Sequence, residues 1–271
     1  MSSSTEAVDV GEVKTGSSLG RQLFWYFGGL IAVYLIGMVA FWPPAGEQPD
    51  QMIFLVLMFA PTAGALLTWA VAKGSIQWGR PNWWLFAGLI PALAVLGVYL
   101  VGVLFGWDTV DPGLLRTALV GAPLAILGAA ISAAGEEIGW RGFLWPTLRA
   151  RFGFWRVSLI VGVIWWAYHV PLVIFGWYGS LEGLPAFTLA IAGFTLFVGV
   201  LTDRSKSLWP SVVAHAAWNG LVATSFAVTE GAVTFPAFSG SDQLMGEFGW
   251  LAAITTALLG FATALWHTRR R

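Results

Sequence analysis

Cysteine is absent from this chain of 271 residues, and charge is scarce: Asp, Glu, Lys and Arg make up 10% of it. Without cysteine there is no disulfide framework, no thiolate-held zinc or iron–sulfur cluster and no thiol nucleophile. Soluble domains carry about 25% charged residues, enough to cover their surface. Here 14 basic and 14 acidic residues cannot clothe a fold of this size. The scarcity excludes a soluble enzyme, a disordered chain and a nucleic-acid binder with a basic face. What the chain has instead is apolar mass. Hydrophobic residues make up 57%, with 17 Trp and 19 Phe. These proportions describe an all-α integral membrane protein.

A membrane-crossing helix needs about 20 mostly apolar residues. Eight stretches qualify: 24–42, 52–72, 84–105, 117–140, 157–175, 184–202, 208–229 and 248–267. Pro, Gly or charge breaks them, as at Pro43-Pro44, Asp111-Pro112-Gly113 and Trp209-Pro210. The pattern predicts one eight-helix domain over residues 23–271, all helical, behind a polar, Ser-rich tail at 1–22. The first apolar stretch has no small-x-small cleavage site and is read as an anchor.

Basic residues sort by loop. Thirteen of the 14, from Lys14 and Arg21 to Arg269, Arg270 and Arg271, fall on one side, and Arg116 alone on the other. The second side holds Glu47, Asp50, Asp108, Asp111, Glu182, Glu230, Asp242 and Glu247. Basic loops stay in the cytosol. The expectation is a multi-pass plasma-membrane protein with both termini cytosolic, which an even number of spans requires.

Few ionisable groups lie inside the spans: Glu136 and Glu137 in the fourth, His169 in the fifth and His215 in the seventh. A charge at the centre of a membrane helix costs about 2.5–3.5 kcal/mol on insertion scales, so such residues point to function. Their spacings are specific. Glu136-Glu137-Ile138-Gly139-Trp140-Arg141 puts Glu137 and Arg141 four apart on one face. Glu136, turned by about 100°, is left to face another helix. Trp165 and His169 are four apart, as are His215 and Asn219. Gly135 and Gly139 allow a neighbouring helix to come close. Counting turns from the basic side puts Glu136 ~8 Å deep, His215 about 10 Å and His169 roughly 18 Å. The constellation is therefore expected in the cytosolic half, in a water-filled cavity open to the cytosol.

Other features receive bland readings. His267 closes the last span beside three Arg and is given no role. Gly16-Ser17-Ser18-Leu19-Gly20 fits a serine-hydrolase elbow but has no strand before it. Trp140, Trp145 and Trp155 suit an interfacial aromatic belt.

The three motifs, E-E-x-x-x-R, W-x-x-x-H and H-x-x-x-N, in this order on separate spans, resemble the CAAX-protease and bacteriocin-processing (CPBP) family of intramembrane proteases. Its members include the eukaryotic prenyl-protein endopeptidase. The resemblance covers roughly residues 117–222 and departs at Trp165, where the family pattern has Phe. It implies a hydrolase in which Glu136 is the general base, His169 assists, and His215 and Asn219 stabilise the oxyanion. It makes Glu137 and Arg141 a structural pair. Glu136, His169 and His215 are also a conceivable Zn2+ set, which would make a metalloprotease, and a metal-free mechanism stays equally open. The implied partners are the lipid bilayer and a membrane-associated protein or peptide substrate, lipidated or not, with no nucleic acid. Two other readings stand beside it: a non-catalytic immunity or scaffold protein on the same fold, and a proton- or cation-coupled transporter.

Overall fold

The first helix opens on a polar cap, the Ser18 Oγ accepting the Arg21 N–H, as the orphan donors of a helix start require. A computed structural model describes residues 18–44, 47, 49–230, 233–241 and 243–270. Most of the expected tail, and the Gly16 and Ser17 of the discarded serine motif, lie outside them. Helix α1 runs Leu19–Ala40, so residues 19–22 belong to a helix and not to the tail.

The second apolar stretch is two helices, α2 (Gln51–Met58) and α3 (Ala60–Ala72), meeting at Phe59 ahead of Pro61. Helix α4 is Trp84–Leu104. The next is capped by the Asp111 side chain, which accepts from the Gly113 and Leu114 amides, with Pro112 in its first turn. This helix α5 (Pro112–Glu137) continues through a π-helical stretch, Ile138–Leu144, into α6 (Trp145–Arg149). The rod is 38 residues long, so the fourth span does not stop near Arg141. Helices α7 (Phe154–Ile174) and α8 (Leu184–Ser205) follow, and α10 (Trp250–Arg269) closes the bundle against α8. There Gly260 is so close that a Cβ on it would lie 2.0 Å from the Gly193 carbonyl oxygen.

Seven helices among the described residues are long and apolar enough to cross a membrane. The stretch 208–229 is not one of them. It is helical only over α9 (Trp209–Ala217) and a π turn, Trp218–Val222. Fourteen residues reach about 21 Å, short of the ~30 Å hydrocarbon core. The chain then forms an antiparallel hairpin, β1 (Val228–Glu230) and β2 (Val233–Phe235), with Val228 opposite Phe235. This short hairpin is an exception within a mostly helical membrane fold, which agrees with the all-α expectation. Val228, Thr229, Val233 and Thr234 are β-branched and favour extended backbone.

Loops gather at two ends. At one, the Leu208 amide bonds to the Trp78 carbonyl and Gln77 to Gly142, among the basic loops. At the other, Asp111 bonds to Ala237, and Val110 bridges to Phe238, among the acidic loops. Trp42, at the end of α1, packs on Trp177 there.

Candidate active site

Glycines bring the acidic helix against the α2–α3 break. A Cβ on Gly139 would lie 2.4 Å from Pro61, and one on Gly135 would lie 2.9 Å from the Met58 carbonyl oxygen. Thr62 adds a hydrogen bond to the Gly135 carbonyl. The small-residue spacing thus does what it implies, but the partner is a helix break. The π stretch begins one residue after Glu137, and a second π turn contains Asn219. Single π turns recur at functional sites because they re-aim side chains.

Glu136 is 1% exposed. Its Oε2 accepts two indole N–H bonds, from Trp165 at 2.7 Å and Trp140 at 3.1 Å. Trp140, expected in an interfacial belt, is fully buried. Trp165 does more than fill the place of a phenylalanine: its nitrogen supplies a donor that Phe lacks. Its ring also stands between the two imidazoles, 6.0 Å from His169 and 5.4 Å from His215. The Arg141 guanidinium sits over the same ring at 4.4 Å.

Glu137 has two partners. Its Oε1 accepts from Arg141 at 2.8 Å, the i, i+4 pair its spacing implies, and from His215 Nδ1 at 3.0 Å. Glu137 is therefore also an orienting group for His215. The His169 Nδ1 faces the Trp165 carbonyl at 2.8 Å, which makes it the N–H nitrogen and leaves Nε2 unprotonated in the neutral ring.

Glu136, His169, His215 and Asn219 line one chamber of about 50 Å³. Its walls include Leu172, Phe187 and Trp218. A water needs about 10–15 Å³ of such space, so the chamber admits a few waters. Two lining residues were not expected. Tyr178, from the loop after α7, donates its hydroxyl to Glu247 Oε2, and Trp218 donates its indole N–H to Glu247 Oε1 at 2.9 Å. Burial, then the Glu247 charge, hold the Tyr178 phenol well above its ordinary range, so it remains a donor. Glu247 had been counted simply as a loop acid, and no spacing ties it to the three motifs.

On one side the chamber extends toward the acidic-loop end. His169 is five residues from the end of α7, Phe187 is near the start of α8, and Tyr178 and Glu247 come from loops at that end. His215, by contrast, is six residues past the start of α9 at the basic end, and Glu136 is thirteen residues before the end of the rod at Arg149.

Among the described residues, no three His, Cys, Asp or Glu side chains lie close enough to hold a metal ion. Glu136, His169 and His215 are not among such groups; Glu136 Oε2 is taken by two indoles, while each imidazole turns Nδ1 to a protein oxygen and leaves Nε2 open.

At the basic end a second buried cluster forms. Asp203 accepts from Trp145 at 3.0 Å, from Arg149 at 2.8 Å and from His267 Nε2 at 3.1 Å. Arg204 Nε donates to His267 Nδ1 at 2.9 Å, which fixes that ring as the Nε2–H tautomer. His267 is fully buried and joins α10 to α8, so a role must be restored to it. Trp145, 1% exposed, is likewise no belt residue.

The fold and chamber define a multi-pass membrane protein with a buried carboxylate–imidazole–amide site. Residues 117–221 match the family described as type II CAAX prenyl endopeptidase Rce1-like. All seven motif residues fall within that stretch. A 43-residue segment is 35% identical to CAAX prenyl protease 2 of Methanococcus maripaludis, covering 16% of this chain and 16% of that protein. The matched segment is thus a small part of the curated relative's length. Over residues 117–221 the chain is thus similar to the family that its motifs resemble.

Proposed function

We propose that this chain is an intramembrane endopeptidase in which Glu136 activates a water. The observation that carries the reading is the convergence of Glu136, His169, His215 and Asn219 on one small chamber inside the bundle. Glu136, held by two indole donors, takes the proton of a chamber water as general base. His169, with Nε2 unprotonated, is placed to accept a hydrogen bond from that water. The scissile carbonyl gains negative charge as hydroxide adds. The Asn219 amide donates to it, and so does His215 through Nε2 when the ring is protonated, with Glu137 bracing that form at Nδ1. The proton held by Glu136 then passes to the leaving amine.

The substrates are membrane-associated proteins or peptides. The relative's name is that of a prenyl protease, which makes prenylated C-terminal peptides the first class to assay. With the basic loops in the cytosol, both termini are cytosolic in a plasma-membrane protein. A transporter or a scaffold needs no water-activating carboxylate beside an oxyanion site.

The test is Glu136→Gln in purified protein assayed on a fluorogenic farnesylated peptide and by comparison of membrane proteomes. Loss of cleavage by about 10²–10⁴-fold, with folding intact, supports the reading. Cleavage at the wild-type rate ends it. Dialysis against a chelator should leave the rate unchanged, and a collapse restored by zinc would replace the metal-free mechanism.

A further inference from the structure

The chamber is too small for the substrate assigned to it. It measures about 50 Å³, while sites that hold drug-sized ligands run to about 300–1,000 Å³. Next to it, at the acidic-loop end, is a cleft of about 780 Å³ between the loop after α7 and the loop before α10. Among the described residues, Tyr178 and Glu247 are the two that line both spaces. They are also hydrogen-bonded to each other, so this contact joins two loops at the boundary between chamber and cleft, beside the stack of Phe187 on Phe248.

We propose that Tyr178 and Glu247 form an admission latch, closed in this structure, that parts to let a peptide pass from the outer cleft to the Glu136 chamber. This deepens the proteolytic reading of the same site.

The surroundings are built for such a device. Glu247 is anchored on the chamber side by the Trp218 indole, one residue before Asn219. Gly246, just before it, is pinned through its amide to the Tyr99 hydroxyl at 2.7 Å. The Tyr178 ring lies 5.6 Å from the His169 ring and edge-on to Phe248. Phe248 in turn stacks on Phe187 at 4.5 Å. The loop carrying Tyr178 turns at Gly176 and Gly179, and that carrying Glu247 at Gly246, all with positive φ. Glycine enters that region freely, so each loop has points where its path can change without strain. When the contact breaks, Tyr178 leaves the face of His169 and the two spaces join. Glu247 thus decides what reaches the site, as a positioning residue acting through Tyr178, and does not touch the reacting atoms.

The absence of cysteine makes the test direct. Ala190→Cys places one thiol on the chamber wall, and Ser180→Cys places one in the outer cleft. Full-length protein in liposomes is labelled with a small cationic methanethiosulfonate. The Ser180→Cys thiol should react at one rate whatever the latch. The Ala190→Cys thiol should react slowly, and about tenfold or more faster when Tyr178→Phe or Glu247→Ala is added, since a charge-assisted hydrogen bond holds the closed form. The two latch changes together should be no faster than either alone, because both break one contact. Equal Ala190→Cys rates with and without the latch overturn the proposal, as do additive effects, which mean general loosening. Either latch variant suffices if the other fails to fold. Labelling requires no turnover, so its failure would leave the role of Glu136 standing, and an inactive Glu136→Gln protein would leave the latch standing.

Discussion

Trp165 on α7 gives its indole N–H to Glu136 on α5 at 2.7 Å, a bond between side chains 29 residues apart. It ties the middle motif to the first one. The aromatic ring can be supplied by Phe, but the donor cannot. Trp165→Phe should therefore keep the fold and lower the rate constant for cleavage by about tenfold, with little change in substrate affinity. Single-turnover rates on a fluorogenic peptide check this, and an unchanged rate would assign the donor no part in the chemistry.

Arg141 and Glu137 are both fully buried, 2.8 Å apart. Removing one charge from such a pair strands the other, so Arg141→Ala should lose about 3–5 kcal/mol of stability. Replacing both, as Glu137→Leu with Arg141→Leu, should recover most of that loss. It should not recover cleavage, because His215 Nδ1 then has no carboxylate to brace it. Thermal unfolding and activity measured on the same preparations separate the two roles.

The Asp203 cluster lies at the other end of the bundle from the chamber. His267→Ala removes the donor to Asp203 and the acceptor of Arg204 at once. Stability should fall by about 1–3 kcal/mol. The turnover of the protein that remains folded should match wild type. A drop in turnover per folded molecule would show that the basic end is coupled to the site.

Asp108 lies in the loop between α4 and α5, 6% exposed, and burial raises its carboxyl above the ordinary value. The folded chain thus holds that proton more tightly than the unfolded one does. Its contribution favours folding at low pH and is lost as pH rises from the ordinary value through the raised one. At pH 7 the buried carboxylate is a cost. Asp108→Asn should melt at a higher temperature than wild type at pH 7, with the gap closing below about pH 4. A gap that widens on acidification would reverse the sign assigned to this group.

The motif residues were legible because lipid makes each one expensive. Only a few polar groups stood inside the spans, and their fourfold spacings named Glu137–Arg141 correctly. The helical layout was legible for the same reason, since long apolar runs need little else to declare themselves. The seventh stretch was misread because hydropathy does not distinguish a short helix followed by a hairpin from a full span. Trp140 and Trp145 were misplaced because a tryptophan at a span end looks alike whether its N–H meets water or a buried carboxylate. Glu247 was invisible as a site residue. It is 28 residues beyond Asn219 in sequence, and only the return of the chain before α10 brings it to the chamber.

The π stretch at Ile138–Leu144 has a consequence for how one rod serves two places. An extra residue in a helix turns everything beyond it by about 100°. Glu136 precedes the stretch and faces the chamber, whereas Trp145 and Arg149 follow it and face Asp203 on α8. The phase offset lets a single continuous element serve as a wall of the reaction space and as an anchor for the opposite end. Deletion of one residue there would restore an ordinary helix and misalign one of the two faces, so the length of this short stretch matters as well as the side chains it carries.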